Sequence, residues 1–127
     1  MPRTNKNEAP VSVDEPVIEG RYVELGPYTV GFETMKQDMD PAPLFHGLPD
    51  DRCQAPHWGV VLHGSLVFRY PDHEETYRAG DAYYGAPGHL PLLTAGTEIV
   101  EFTPTADLAA TMRVLEANLA ASRAASS

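Results

Sequence analysis

The chain has 127 residues, enough for one domain that buries about two thirds of its unfolded surface, and its 43% hydrophobic content is that of an ordinary globular protein. Its net charge of −9 argues against binding to nucleic acid or to an anionic membrane surface. A single cysteine excludes an internal disulfide and fits a reducing cytoplasm.

Residues 1–12 are polar and are expected as a flexible tail. MPRTNKNEAP lacks the apolar segment of a secretion signal, and no run approaches the length of a membrane span, so a soluble cytoplasmic protein is expected. Twelve prolines and ten glycines among short apolar runs point to many turns and an all-β core. The first two strands are expected around Arg21–Leu25 and Tyr28–Thr34, flanking the turn dipeptide Gly26-Pro27. In the second, Thr29, Gly31 and Glu33 alternate with Val30, Phe32 and Thr34, a period of two with one apolar face.

Residues 35–52 hold three prolines and show no periodicity. A connection this long is functional or misread. One reading is a flap over a barrel mouth, with Leu44, Phe45 and His46 packing down. The other is a wrapping loop with no part in chemistry.

The stretch from Cys53 to His89 carries most of the candidate chemistry. Its first strand puts Cys53, His57, Gly59, Val61 and His63 on one face, provided no bulge intervenes. Gly64 turns the chain into SLVFRY, PDHEET and AGD supply two further turns, and AYYGA is a short strand before Pro-Gly-His89. LPLLTAG comes next as a strand and turn. The last strand, TEIVEFTP, sets Glu98, Val100 and Phe102 against Thr97, Ile99, Glu101 and Thr103. From Ala106 to Arg123 the period becomes helical, with Leu108, Met112, Leu115 and Leu119 on one face. Thr105 is the expected N-cap, Asp107 suits the first turn, and the final ASS is expected to fray. This helix is expected on the outside of the barrel or against a partner subunit. No internal repeat is found.

Two motifs in this stretch, His57-Trp-Gly-Val-Val-Leu-His-Gly64 and Gly80-Asp-Ala-Tyr-Tyr-Gly-Ala-Pro-Gly-His89, resemble those of the cupin superfamily, specifically small cupin-2-like proteins. The resemblance covers roughly residues 22–104. It implies an all-β double-stranded β-helix, a jelly-roll barrel, over residues 13–104, followed by a C-terminal α-helix and tail over 105–127. It also implies pairing into a homodimer through sheet edges, which would otherwise stay open.

The inherited ligand set is altered. The cupin glutamate position falls on His57, the paired histidines would lie near Asp50 to Cys53 and are missing, and the second-motif histidine position holds Pro91, two residues after His89. The expected site therefore uses His57 and His89, with Cys53, His63 or one of Glu98 and Glu101 completing a shell for zinc, iron, manganese or nickel. His57, His89 and Tyr84 are the catalytic candidates.

Each has a plainer reading. A buried histidine often only bonds a neighbour, a lone cysteine is usually a small apolar residue, and an inward tyrosine usually packs. His63 falls near a strand end, and His46 and His73 are expected on the surface. Trp58, on the opposite face from His57, reads as core or dimer contact.

No phosphate loop, nucleophile elbow or basic cluster is present, so no nucleotide, flavin or nucleic acid is expected. The leading expectation is a small-molecule site with a divalent metal and oxygenase, isomerase or lyase chemistry. The alternatives are a metal-free binding or sensing module and a non-catalytic partner of another enzyme, since fold alone does not choose.

Overall fold

The computed structural model describes residues 2–92 and 94–126. Expectations at Met1, at Leu93 within LPLLTAG and at Ser127 lie outside these residues. The elements in order are β1 (Val11–Asp14), β2 (Ile18–Leu25), β3 (Tyr28–Met35), α1 (Ala42–Phe45), β4 (His57–His63), β5 (Ser65–Arg69), β6 (Glu74–Arg78), β7 (Ala82–Gly85), β8 (Leu90–Leu92), β9 (Glu98–Pro104) and α2 (Thr105–Ser126). One sheet runs β1-β2-β3-β9-β4-β7 and the other β6-β5-β8, and neighbouring strands in both are antiparallel.

The two sheets face each other across a cavity of about 90 Å³ lined from both sides, for example by Glu101 on β9 and Phe68 on β5. Apolar packing is split between two clusters, one of Val61, Leu66, Phe68, Tyr70, Tyr83 and Ile99 and one of Val17, Met35, Leu44, Phe45, Leu48, Cys53 and Ala55, and both contribute to the cavity wall.

Three expectations change. The residues expected as a flexible tail are engaged. Val11–Asp14 pair with β2, Ala9 is buried, and the Lys6 ammonium reaches Glu98 Oε1 at 2.8 Å. The Arg21 guanidinium bonds the Lys6 and Ala9 carbonyls, which holds this segment near β2.

The 35–52 segment is not featureless. It contains α1 and a single 3-10 turn at Pro49–Asp51, and Leu44 and Phe45 are buried in the cavity wall, while His46 stays exposed.

Helix α2 does not lie on the outside. Leu108, Thr111, Met112 and Leu115 line the cavity, and Asn118 Nδ2 donates to the Leu44 and His46 carbonyls at 2.6 and 2.9 Å. The apolar stripe of the helix and the apolar pair of α1 therefore form one lid, because each covers surface the other would leave wet. Thr105 is the first helical residue, and its hydroxyl bonds Thr29 Oγ1 at 2.9 Å.

Candidate metal and ligand site

Cys53 reaches the site through the backbone. It precedes β4 and forms an isolated antiparallel bridge with His89, with Cys53 N–H to His89 O and Gly88 N–H to Cys53 O both at 2.8 Å. His57 opens β4 and faces inward. All three side chains are buried, and their potential ligand atoms lie within 4.8 Å of one another.

The Cys53 thiol approaches His57 Nε2 at 3.6 Å. A zinc ion with sulfur at about 2.3 Å and nitrogen at about 2.0–2.1 Å in tetrahedral geometry sets those atoms about 3.5 Å apart. The donor set fits such an ion.

The far side of each imidazole is also arranged. His57 Nδ1 lies 2.7 Å from Thr103 Oγ1 and 3.5 Å from Glu101 Oε1, and His89 Nδ1 donates to Ala86 O at 2.8 Å. A partner on the second ring nitrogen fixes the tautomer and leaves Nε2 as an acceptor or ligand. Phe68 stacks on His89 with ring centroids 4.1 Å apart, which fixes its plane.

Burial holds both imidazoles neutral, with His57 and His89 each pushed down to about 4, helped at His89 by the neighbouring His57. Burial also pushes the Cys53 thiol up to about 11, so without a metal it stays protonated, 3.6 Å from His57 Nε2 and within reach of the Ala55 carbonyl at 3.9 Å.

A second constellation crosses the sheet floor. Tyr22, Gly31, Glu101, Gly59 and Tyr83 are successive cross-strand partners on β2, β3, β9, β4 and β7. Tyr83 donates to Glu101 Oε2 at 2.6 Å, and Tyr22 to Glu33 Oε2 at 2.6 Å. The glycines make this possible. A Cβ on Gly31 would stand 2.6 Å from the Tyr22 ring, and one on Gly59 would stand 2.7 Å from the Tyr83 ring.

Burial pushes Glu33 up to about 7, with the Glu101 charge adding to it, and burial likewise raises Glu101 to about 7. By accessible surface Glu33 is half-buried, because the cavity touches it; its carboxyl is otherwise surrounded by protein.

Of the residues singled out in the sequence, Cys53, His57 and His89 come together and Glu101 lies beside them. Three do not join them. The sequence period puts His63 on the His57 face, but the β4–β9 register shifts between Val61 and His63, and its side chain is 73% exposed beside Glu98. One extra residue in a strand reverses the facing of the residues beyond it. Tyr84, a catalytic candidate by sequence, is 50% exposed and packs on Trp58 outside, whereas Tyr83 is the inward tyrosine. Glu98 points outward to Lys6.

Sequence reasoning missed Glu33, Tyr22 and Thr103. The signal for them lay in the alternation of β3 and β9, whose polar face, not the apolar one, turns inward.

No protein-family model matches the chain, and no curated protein matches it. Solved structures do. A crystal structure of unknown function from Rhizobium leguminosarum bv. viciae 3841 superposes with TM-score 0.58 at 16% identity, covering 81% of this chain and 95% of that one. An RmlC-like cupin from Shewanella frigidimarina NCIMB 400 gives TM-score 0.55 at 10% identity over 80% and 88%. KdgF from Halomonas sp. gives 0.52 at 14% identity over 79% and 92%.

The chain therefore has the jelly-roll fold of the cupins, with a C-terminal helix. Inside that fold is a buried Cys-His-His cluster that could hold a metal. Among the described residues no helix is long and apolar enough to cross a membrane.

Proposed function

We propose that the barrel holds a divalent metal on Cys53 Sγ, His57 Nε2 and His89 Nε2 and binds a small molecule beside it. The observation that carries this reading is the convergence of three buried donor atoms on one wall of a cavity, each imidazole already anchored through its other nitrogen. A thiolate with two imidazoles suits zinc or iron better than magnesium or calcium. A dication bound there supplies Lewis acidity toward a substrate oxygen and stabilises the Cys53 thiolate.

The chain's own groups do the rest. Thr103 and the Ala86 carbonyl hold the imidazole planes, α1 and α2 exclude water, and Glu101 and Glu33 hold or move a proton at the cavity floor. Carboxyls raised to about 7 suit general acid–base work at neutral pH. A lyase or isomerase reaction needs these parts.

Elemental analysis of untagged protein beside His57→Ala and His89→Ala tests the reading. Near-stoichiometric metal in the wild type, lost from both variants, is the expected result. A wild type that stays metal-free after incubation with zinc, iron, manganese and nickel leaves the metal-free binding module.

A second copy of the chain is the proposed partner. Trp58, Leu62, Tyr84 and Phe102 are exposed together on the outer face of the large sheet, beside edge strand β7. A twofold-related copy would cover this patch and the open edge at once. Light scattering should give a dimer for the wild type and a monomer for Trp58→Asp. A wild-type monomer at high concentration would remove this proposal.

A further inference from the structure

The cavity has a chemical direction. Its roof is apolar, made by Leu44 and Phe45 from α1 with Leu108, Met112 and Leu115 from α2. Its floor carries Glu33 and Glu101, on neighbouring strands and facing the same side. Among the described residues, no lysine or arginine lines it.

The polar atoms left over are of one kind. Each carboxyl has one oxygen bonded to a tyrosine. Glu101 Oε1 lies 3.5 Å from His57 Nδ1, which has Thr103 Oγ1 closer, at 2.7 Å. Glu33 Oε1 has no hydrogen-bond partner among the described residues. His89 is 1% exposed, with Nδ1 bonded to Ala86 O and Nε2 without a hydrogen-bond partner among the described residues.

These carboxylate and imidazole atoms are acceptors. With a metal on Cys53, His57 and His89 the two carboxylate oxygens remain; without one, His89 Nε2 joins them. The lining agrees: the two acidic groups share the cavity with no basic side chain among the described residues that line it, in a setting where an uncompensated charge is costly.

We propose that the Glu33–Glu101 floor binds the ammonium group of a small primary amine whose short apolar chain lies under the α1–α2 lid. The proposal rests on the reading of this cavity as a small-molecule site and names the ligand class it takes. An ammonium brings three N–H donors and one positive charge to two acidic acceptors. A carboxylate ligand would meet like charge, and an alcohol offers one donor and no charge to neutralise. The apolar lid accepts methylenes and has little to offer a second charged group.

Three probes of one chain length separate these chemistries: butylammonium chloride, 1-butanol and sodium butyrate. Each is titrated calorimetrically into the metal-replete and the chelator-treated protein, as wild type and as Glu33→Gln. That substitution keeps the side-chain shape and an acceptor for Tyr22 while removing the charge. The expected result is butylammonium binding at least about tenfold tighter than either other probe, a difference of about 1.4 kcal/mol.

Glu33→Gln is expected to lose most of that preference while keeping the wild-type metal content and circular dichroism. Butanol or butyrate binding as well as butylammonium overturns the proposal. So does a Glu33→Gln protein that keeps the full preference, or the absence of butylammonium binding in both forms. Metal content is read separately. A metal-free protein that still prefers butylammonium removes the metal site and leaves the amine site standing.

Discussion

The two faces of the six-stranded sheet invert the usual arrangement. On β9, Glu101 and Thr103 point inward and Val100 and Phe102 outward; on β4, His57 and Gly59 point in and Trp58 and Val60 out. In a half-buried antiparallel sheet the apolar face normally covers the core. Here the inward face forms a floor of carboxyls, hydroxyls and imidazoles around a cavity, and the apolar packing gathers in two clusters beside it and on the outer surface. A strand pattern states that two faces differ. It does not state which one is the interior when the interior is a site.

Substitutions on opposite faces of one strand test this difference most strongly. Ile99 is 2% exposed and packs in one of the two apolar clusters, so Ile99→Ala should cost about 2–5 kcal/mol in chemical denaturation. Phe102, three residues on and 40% exposed, should cost less than about 1 kcal/mol in chain stability as Phe102→Ala. Equal losses in chain stability would contradict the assignment of the two faces.

The next effect is the pH dependence of Glu33. Its carboxyl is raised from 4.5 to about 7 in the folded state, so the folded protein holds this proton more tightly than the unfolded chain does. The contribution is fully present below about pH 4.5 and is lost as pH rises through about 7, amounting to at most about 3 kcal/mol.

His57 and His89 act in the opposite direction. Lowered from 6.5 to about 4, they give stability above pH 6.5 that is lost on acidification toward 4. The wild-type profile mixes the two. The difference between Glu33→Gln and wild type isolates the carboxyl, and thermal unfolding should show the variant gaining on the wild type between about pH 5 and 8. A pH-independent difference would mean that Glu33 is not held as the structure places it.

The smallest contrast lies within the Tyr83-Tyr84 pair. Tyr83→Phe removes the donor to a buried carboxyl and should cost about 1–3 kcal/mol. Tyr84→Phe, on the exposed face, should stay within about 0.5 kcal/mol of wild type in the same urea titration. The reverse order would return Tyr84 to the site.

Much of this is legible in the sequence for simple reasons. Turn residues such as Gly26-Pro27 and Gly64 punctuate the chain, and they place β2, β3, β4, β5 and β9 close to where they are found. The four-three-four spacing of Leu108, Met112, Leu115 and Leu119 defines α2 and its apolar stripe. The approach of His57, His89 and Cys53 is expected because the motifs resemble those of cupins, although local pattern alone would not join residues more than thirty positions apart.

Tertiary structure decided the rest, because it depends on register and packing, which a single strand does not encode. A shift in pairing after Val61 turned His63 to solvent. Cross-strand register aligned Tyr22, Gly31, Glu101, Gly59 and Tyr83 into one row. Docking α2 onto α1 made a lid of a helix whose stripe would fit an outer wall or a partner equally well. The sequence by itself determined which residues alternate and where the chain turns, since those depend on backbone period and turn chemistry. The closing of two sheets and a lid over one polar face decided that this face is the inside.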